Sequence, residues 1–297
     1  MSAAGVTRVR ALFTVIIPTH NRPDLLEEAV TSVLQQRRVD VECLIVDDGS
    51  AVAVGTWDDP RVRIVRHPEP LGAAEARNTG IRNARGSYVS FLDDDDRYLP
   101  TRLDAAAEHV SKGIAVVCWS RSMKRSTRPG RLLYGNEFDR ILDDSTPQVG
   151  TITLLRDDCP RFDVDLELNE DIDWWLRVAE RCRFLTVPLP LHLFREHEGP
   201  RLTDRVRERL RCSWLLIDKH AEYFVAHPKA LAFRLRRMGL IALKAGWSRQ
   251  SCEYFVRSFL AQPSFKAFGH LIRAGITISR SQLQPKWSTI RSDSARL

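Results

Sequence analysis

Tyr88-Val-Ser-Phe-Leu-Asp-Asp-Asp-Asp96 is the stretch of sequence that decides the fold. An apolar run of this length predicts a short buried strand, and this one leads directly into four aspartates. A strand residue and its i+2 neighbour point the same way, so Asp93 and Asp95 are expected to face one cation. Mg²⁺ and Mn²⁺ take carboxylate oxygens and keep positions for substrate phosphates, and adjacent carboxylates repel without a counter-ion. The stretch therefore predicts a strand that ends in a divalent-metal site, with a solvated acidic turn as the alternative.

The segments around this strand are predicted to alternate between strands and helices. Strands are predicted at 13–17, 41–46, 62–65 and 114–119, with helices starting at Pro23 and covering about 72–84 and 103–110. Short connections between alternating strands and helices predict an α/β fold with a mostly parallel sheet flanked by helices. In such sheets ligands bind at the carboxyl ends of the strands. Three strand ends carry polar side chains, and we expect them to converge on one crevice: Pro18-Thr-His-Asn-Arg22, Asp47-Asp-Gly-Ser50 and the four aspartates.

The remainder of the chain is predicted to become helical. Residues 121–169 are irregular apart from a strand-like run at 151–155, and a helix is expected at 170–181. Two short strands are expected at 184–187 and 191–195. From about residue 203 to 278 the pattern is helical, with no strand signal. We therefore place an α/β domain at 1–200 and a basic helical extension at 201–297.

The charge of the chain is unevenly distributed. Up to residue 194 there are 25 Lys and Arg against 30 Asp and Glu, and from residue 195 there are 20 against 8. A basic tail on an acidic body indicates an anionic partner, such as a phospholipid surface or a polyprenyl phosphate. Arginines beside apolar stripes suit a helix that lies on an anionic membrane, and a packed helical bundle with a basic face is the alternative. Nucleic acid is not expected, because the aromatic residues of the tail follow core-like helical spacing.

Cysteine usage and hydropathy bear on the compartment. The six cysteines show no CxxC spacing, which is typical of neither a zinc site nor a disulfide framework. The N-terminal apolar run is interrupted by Thr14 and ends at Pro18, unlike a signal peptide. No apolar stretch approaches the ~20 residues of a membrane-spanning helix. We therefore expect a cytoplasmic protein, or one bound peripherally to the inner face of the cell membrane.

Further polar residues are candidates for chemistry. Asp47 and Asp48 end a predicted strand, where carboxylates can accept from a base or a ribose hydroxyl, although an ordinary Asp-Gly turn has the same residues. Glu170 and Asp171 begin a predicted helix. There the helix dipole favours acids in any protein, and one of them could act as a general base toward an attacking hydroxyl. Arg195 and His197 follow a short strand and could offset diphosphate charge, or be ordinary surface residues.

Five stretches together resemble family 2 glycosyltransferases, whose fold is called GT-A. They match in order and spacing over roughly residues 11–200: Thr14-Val-Ile-Ile-Pro-Thr-His-Asn-Arg22, Leu44-Ile-Val-Asp-Asp-Gly-Ser50, Gly72-Ala-Ala-Glu-Ala-Arg-Asn-Thr-Gly80, Arg85-Gly-Ser-Tyr-Val-Ser-Phe-Leu-Asp-Asp-Asp-Asp96 and Asn169-Glu-Asp-Ile-Asp-Trp-Trp-Leu-Arg177. One such motif is weak evidence and five in sequence are strong evidence. The resemblance implies an inverting enzyme that moves a sugar from a nucleoside-diphosphate sugar to an acceptor hydroxyl with the help of Mg²⁺ or Mn²⁺.

The resemblance also implies roles for individual residues. Asp171 matches the family's catalytic base, with Glu170 as its usual neighbour. Asp93 and Asp95 match the DxD pair, with Asp95 the metal ligand and His197 a further metal contact. Arg195 falls where the family places a diphosphate contact, although the motif around it only approximates the family's form. The residues expected to bind the nucleotide-sugar are Pro18, Thr19, Asn21, Arg22, Asp47, Asp48, Arg77, Asp93 and Asp94.

Other functions remain open from sequence alone. Relatives with this layout assemble cell-surface polysaccharide or glycolipid, so the resemblance implies a saccharide or lipid-linked acceptor. A sugar-phosphate nucleotidyltransferase would have a similar nucleotide-binding fold and metal requirement. It would, however, carry a Gly-rich phosphate loop near the N-terminus in place of Pro18-Thr-His-Asn-Arg22. A third alternative is a non-catalytic module whose basic tail binds a membrane or nucleic acid. The sugar, the nucleotide and the linkage cannot be derived from the motifs.

Overall fold

The structure is a computed structural model that describes residues 12–37, 39–124, 130–196, 205–264 and 269 of the 297-residue chain. The chain divides into two compact units that are each discontinuous in sequence. The first unit comprises Met1–Glu137, Pro147–Val164 and Arg177–His197. The second comprises Phe138–Thr146, Asp165–Leu176 and Glu198–Leu297. The chain last leaves the first unit close to the boundary expected at residue 200, but two earlier segments also belong to the second unit.

The first unit is built on a sheet of nine strands among the described residues. The strands are β1 Leu12–Thr19, β2 Asp40–Asp47, β3 Val62–Arg66, β4 Tyr88–Phe91, β5 Arg97–Tyr98, β6 Ile114–Ser122, β7 Tyr134–Gly135, β8 Ile152–Leu155 and β9 Arg183–Phe194. Its helices are α1 Pro23–Leu34, α2 Ala73–Asn83 and α3 Arg102–Ala107. The strand order is β3-β2-β1-β4-β8-β6-β9-β5, and β7 also pairs with β9.

Most strands of the sheet run in one direction. β3, β2, β1 and β4 are consecutive parallel neighbours. β8 runs antiparallel between β4 and β6, and β9 is parallel to β6. The predicted mostly parallel α/β sheet is therefore confirmed, with β5, β7 and β8 as the strands of opposite direction.

The core beside β1 explains why this part of the chain folds as the periodicity predicts. Alternate residues Phe13, Val15 and Ile17 of β1 are buried with the apolar face of α1, which includes Leu26 and Val30. Proline at the first helical position starts α1, where no backbone N–H is needed. Burial of each such aliphatic side chain stabilises the fold by roughly 1.5–3 kcal/mol. The apolar pattern therefore determines which faces of α1 and β1 are buried.

One sequence prediction is wrong in this unit. The two strands expected at 184–187 and 191–195 are a single strand, β9. Its pairing with β6 passes from Val187 directly to Pro190, so Pro188 and the residue after it form a bulge. A bulge tolerates a proline that cannot donate to the ladder, which is why the prolines bend β9 without ending it. β5 and β7 were not predicted because two residues are too short for a periodic signal.

The second unit is helical. It contains the start of α4 Glu170–Arg181, together with α5 Val206–Lys219, α6 Ala221–Ala226, α7 Pro228–Lys244 and α8 Ser248–Ala261. The predicted helices are confirmed up to residue 261, and most of the predicted helical region beyond 264 lies outside the described residues. Most apolar side chains of the two arginine-rich stretches in α5 and α7 are buried: Leu210, Trp214, Ile217, Phe233, Leu235 and Met238. Three others are partly buried: Val206, Leu215 and Leu240. Among the described residues, none of the helices is long and apolar enough to cross a bilayer.

Candidate functional site

Three loops meet at the carboxyl ends of the adjacent strands β2, β1 and β4. The Thr19 hydroxyl, at the end of β1, donates to Asp94 Oδ2 at 2.8 Å. The backbone N–H of Asn21 donates to Ser50 Oγ at 3.0 Å, in the loop after β2. Asn21 has a φ of 56°, an uncommon value for a residue with a side chain, and its Oδ1 accepts from the N–H of Ala51. The convergence predicted from the polar strand ends is therefore present.

The four aspartates form a turn and do not continue β4. The strand ends at Phe91, and the turn is closed by a hydrogen bond from the Asp96 N–H to the Asp93 carbonyl at 3.0 Å. Strand alternation therefore does not decide where Asp93 and Asp95 point, because both residues follow the end of β4, and their shared metal site stays a prediction. The acidic turn nevertheless lies at the predicted edge of the sheet.

Arginines from two neighbouring elements supply the charge that balances this turn. Arg77 on α2 donates to Asp93 Oδ1 at 2.8 Å. Arg22, after β1, lies 3.1 Å from Asp94 Oδ1 and 2.9 Å from Asp95 Oδ2. Burial raises the pKa of Asp94, and the hydrogen bond from Thr19 and the charge of Arg22 offset only part of that rise. Repulsion among the aspartates therefore does not by itself require a bound cation.

No group of three potential metal-ligating side chains was found among the described residues. His197, expected as a metal contact, lies outside the described part of the chain. The metal site therefore stays a prediction, carried by Asp93 and Asp95.

Asp96 and Arg195 join the end of β9 to the acidic turn. Asp96 Oδ1 accepts from the Arg195 N–H at 2.9 Å, and Oδ2 lies 3.1 Å from Nε2 of the fully buried His192. The Arg195 guanidinium donates to the Asp95 carbonyl at 3.3 Å and also contacts Glu28 of α1. Arg195 is thus beside the acidic turn, as expected, and it is held there by Glu28. His192 and Glu28 were not identified from the sequence.

Asp48 holds the loop that leads into α2. Its Oδ1 accepts from the Leu71 N–H at 2.8 Å and lies 2.7 Å from His67 Nδ1, and its Oδ2 accepts from the Gly72 N–H at 2.8 Å. His67 lies 2.9 Å from Thr79 Oγ1 through its other ring nitrogen. The carboxylate therefore organises the segment that begins α2 and places Arg77. His67 was missed because its partners are remote in sequence.

Asp47 is buried and holds the following loop. It accepts from the backbone N–H of Ser50 at 2.9 Å and of Val54 at 3.2 Å, and from Arg66 Nη1 at 2.5 Å. Burial alone raises the pKa of Asp47, but these hydrogen bonds outweigh it and hold the pKa below its usual value. The side chain is therefore ionised in the folded protein and forms part of the frame of the site.

Asp47→Asn is expected to lower the free energy of unfolding by about 1–3 kcal/mol at pH 7, because charge-assisted hydrogen bonds are lost. A depressed folded-state pKa stabilises the fold above the unfolded value of about 3.9, and that contribution disappears as the pH falls through the folded value. Urea unfolding at pH 7 and at about pH 3.5 should therefore show a smaller difference at the lower pH. Asp58→Asn, at an exposed position, is the control. A difference that is the same at both pH values would contradict this account.

The start of α4 carries the acids expected to include a base. Asn169 precedes the helix with a φ of 72°, and Asp171 is partly exposed with its Oδ1 accepting from the Ile172 N–H at 2.8 Å. Asp173 is fully buried and lies 2.7 Å from Lys219 Nζ and 2.8 Å from His220 Nε2. The two acids therefore differ in role. Asp173 is buried in contacts with Lys219 and His220, whereas Asp171 is partly exposed.

Trp174 and Trp175 are both fully buried, with their rings in an edge-to-face arrangement at 5.6 Å. Their burial leaves neither indole an exposed face.

The first unit also has an open acidic groove of about 550 Å³, bordered by Asp24, Glu27 and Glu28 of α1 and by Arg97 of β5. None of the residues predicted to bind a nucleotide lines it. The strand-end cluster remains the candidate site.

Open α/β sheets bind their ligands at the carboxyl edge, where this chain has its polar loops. Residues 14–153 match the family model described as Glycosyl transferase family 2. The resemblance to this family is therefore confirmed. Four of the five motif stretches lie within residues 14–153, and Asn169–Arg177 lies beyond them.

Known proteins extend this similarity over different parts of the chain. An uncharacterised glycosyltransferase of Rickettsia felis is 30% identical over 185 residues, which cover 57% of this chain and 30% of the relative. The chain thus spans less than a third of that relative. A putative teichuronic acid biosynthesis glycosyltransferase of Bacillus subtilis, TuaG, is 28% identical over 59% of this chain and 75% of its own length.

A solved structure shows the fold over most of the chain. The crystal structure of S. aureus TarS residues 1–349 in complex with UDP-GlcNAc has a TM-score of 0.63 at 16% identity, covering 88% of both chains. The predicted GT-A-type fold is therefore confirmed.

Proposed function

We propose that the protein transfers a sugar from a nucleoside-diphosphate sugar to an acceptor hydroxyl. The observation that carries this proposal is the cluster at the ends of β1, β2 and β4, where Arg22, Arg77 and Thr19 bind the acidic turn inside the segment that matches the family. Guanidinium groups recognise phosphate oxygens well, and they are concentrated at the edge where such sheets bind ligands. TarS, solved with UDP-GlcNAc, has the same fold.

The proposal includes a divalent ion, Mg²⁺ or Mn²⁺, held by Asp93 and Asp95. The donor set fits, because these ions are commonly bound by one or two carboxylates together with substrate phosphates. A bound ion would neutralise charge on the departing diphosphate. Arg22 and Arg77 contact these carboxylates, and in this proposal they also bind phosphate oxygens of the donor.

Asp171 is the proposed general base, with Glu170 as its neighbour. It accepts the proton of the acceptor hydroxyl while that oxygen forms a bond to the anomeric carbon. The bond from that carbon to the diphosphate breaks and the leaving group takes the electron pair, so the configuration inverts. The residues proposed for the donor belong to the first unit and the proposed base belongs to the second.

The task we infer is assembly of a cell-surface polysaccharide. It is supported by the relative TuaG, which is described as acting in teichuronic acid biosynthesis. The acceptor would then be a saccharide chain or a lipid-linked saccharide. Peripheral attachment to an anionic membrane through the basic tail remains a part of this proposal, and it is supported by the exposed Arg207 and Arg211 of α5.

Thermal unfolding with UDP, dTDP, GDP and CMP, each with and without Mn²⁺, tests the donor site. A ligand that binds only the folded state at 100 times its Kd stabilises it by about 2.7 kcal/mol, which is a rise of several degrees in Tm. We expect one nucleoside diphosphate to raise the Tm in a metal-dependent manner.

Asp95→Ala is expected to remove the metal-dependent part of this rise, because it deletes the proposed ligand. The exposed Asp58→Ala should retain the response. A wild-type protein that none of the nucleotides stabilises would contradict the proposed function.

A further inference from the structure

A chain of polar contacts joins the exposed Gln148 to the acidic turn. The Ser120 hydroxyl, near the end of β6, donates to Gln148 Oε1, and Ser120 Oγ lies 3.0 Å from Nδ1 of His192. Nε2 of His192 lies 3.1 Å from Asp96 Oδ2, and Asp96 Oδ1 accepts from the Arg195 N–H at 2.9 Å. We call these five residues the His192 chain, and all of them belong to the first unit.

The fold leaves room for the imidazole of His192. The ring is fully buried on β9 and meets Tyr98 in an edge-to-face arrangement, with the ring centroids 6.1 Å apart. A Cβ at Gly150 would lie 2.3 Å from Nε2, so a glycine is needed beside the ring. The Tyr98 hydroxyl donates to the Gly150 carbonyl at 3.0 Å and holds this close approach. Burial of a polar ring is costly unless its nitrogens have partners, so packing alone does not account for a histidine here.

The direction of the hydrogen bonds shows what His192 offers to Asp96. A serine hydroxyl has one hydrogen, and Ser120 donates it to Gln148, so Ser120 Oγ accepts from the Nδ1–H of His192. Nε2 is buried and has no well-aligned hydrogen bond among the described residues, and Asp96 Oδ2 lies at ion-pair distance from it. Two lone pairs facing each other there would repel, so a proton between Nε2 and Oδ2 is what makes this contact attractive.

Asp96 transmits the position of His192 to the candidate site. Its backbone N–H closes the acidic turn onto the Asp93 carbonyl, and its side chain holds the backbone of Arg195. The Arg195 guanidinium in turn donates to the Asp95 carbonyl at 3.3 Å. A displacement of Asp96 would therefore move the acidic turn and Arg195 together.

We propose that His192 is a positioning residue of the sugar transfer. It acts through Asp96 and holds the acidic turn and Arg195 in one arrangement for the diphosphate of the donor. The inference rests on the proposed function, since the donor is the ligand that this arrangement would bind. His192 lies outside all five motif stretches, so the family resemblance does not assign it a role.

Two amide substitutions separate the contacts of the ring. His192→Gln places an N–H near the position of Nε2 and retains a donor to Asp96, whereas His192→Asn replaces only the Nδ1 side and leaves Asp96 without one. Calorimetric titration of the full chain with UDP, dTDP and GDP, each with Mn²⁺, first identifies the nucleotide that the wild type binds most tightly. For that nucleotide, the Kd of His192→Gln should stay within about threefold of the wild type, and His192→Asn should bind at least about tenfold more weakly.

Ser120 provides a second test at a partly exposed position, where a substitution disturbs the core less. Ser120→Ala removes the acceptor for Nδ1 of His192 and should weaken nucleotide binding by about three- to tenfold. Ser120→Thr keeps the hydroxyl and should restore the wild-type Kd. The exposed Ser87→Ala, in the same unit, is the control. Thermal unfolding of every variant separates stability from binding, because a purely structural role would lower the Tm and leave the Kd of the folded protein unchanged.

Two results would overturn the inference: equal nucleotide affinities in His192→Gln and His192→Asn, or wild-type affinity in Ser120→Ala. If the His192 variants do not fold, the Ser120 pair decides alone. The wild type separates this inference from the proposed function. A wild type that binds none of the three nucleotides counts against the transferase itself, whereas wild-type binding that no variant weakens removes only the role of His192.

Discussion

Asp171→Asn is expected to lower the rate of sugar transfer by roughly 10²–10⁴-fold while nucleoside-diphosphate binding stays at the wild-type level. This range is the usual contribution of a positioned general base, and an amide has no basicity to replace it. The side chain is suited to the role because it is accessible at the start of α4 and its Oδ1 is oriented by the Ile172 N–H. The measurement is kcat at saturating donor, together with UDP affinity by calorimetry.

Neighbouring acids provide the controls for this prediction. Glu170→Gln should lose much less activity, because Glu170 is assigned no proton transfer. Asp173→Asn should fail differently, with a lower free energy of unfolding, because it breaks the buried contacts with Lys219 and His220. If Glu170→Gln lost the activity and Asp171→Asn kept it, the assignment of the base would be wrong.

Asp48→Ala is expected to lower the free energy of unfolding by roughly 2–5 kcal/mol and to abolish nucleotide binding. The Leu71 and Gly72 N–H groups and His67 would lose their acceptor, and each unsatisfied buried group costs about 1–3 kcal/mol. The loop they hold begins α2, which carries Arg77 toward the acidic turn. Urea unfolding and UDP titration measure the two effects.

Asp48→Asn separates this structural role from the base contact that the family resemblance implies. The amide retains one acceptor oxygen, so the variant should still be destabilised, though less than Asp48→Ala. If Asp48 served only to contact the base, Asp48→Asn would weaken nucleotide binding and leave the free energy of unfolding unchanged. Asp58→Ala, exposed in the same unit, should change neither.

The central part of the fold is predictable because local pattern and tertiary burial agree there. β1, α1 and β2 have clear apolar patterns, and α2 is a run of small residues that follows Gly72. Pro23 marks the start of α1 and Asp47 the end of β2. The resemblance to the family was recognisable for the same reason, since four of its five stretches lie in this part of the chain. β9 was predicted as two strands because prolines normally end a strand. Only its pairing with β6 shows that the strand continues.

The partners of the site residues could not be predicted. His67, His192 and Glu28 hold Asp48, Asp96 and Arg195 over separations of 19, 96 and 167 residues. Interactions of that range leave no periodic signal in a single sequence. The aspartate turn shows the same limit, because its position could be inferred whereas the pairing of Asp93 with Arg77 and of Asp95 with Arg22 could not.

The division of the chain into discontinuous units has a consequence during synthesis. The segment that carries Asp171 packs with helices that extend to Ala261, about 85 residues further along. At 5–20 residues per second a ribosome needs roughly 4–17 s to synthesise the residues from this segment to Ala261. The strands β1, β2 and β4, which build the proposed donor cluster, emerge earlier. A nascent chain therefore completes the strands of the proposed donor cluster before the proposed base has its support. Synthesis interrupted in that interval would leave a chain with the residues proposed for the donor but without the helices of the unit that contains Asp171.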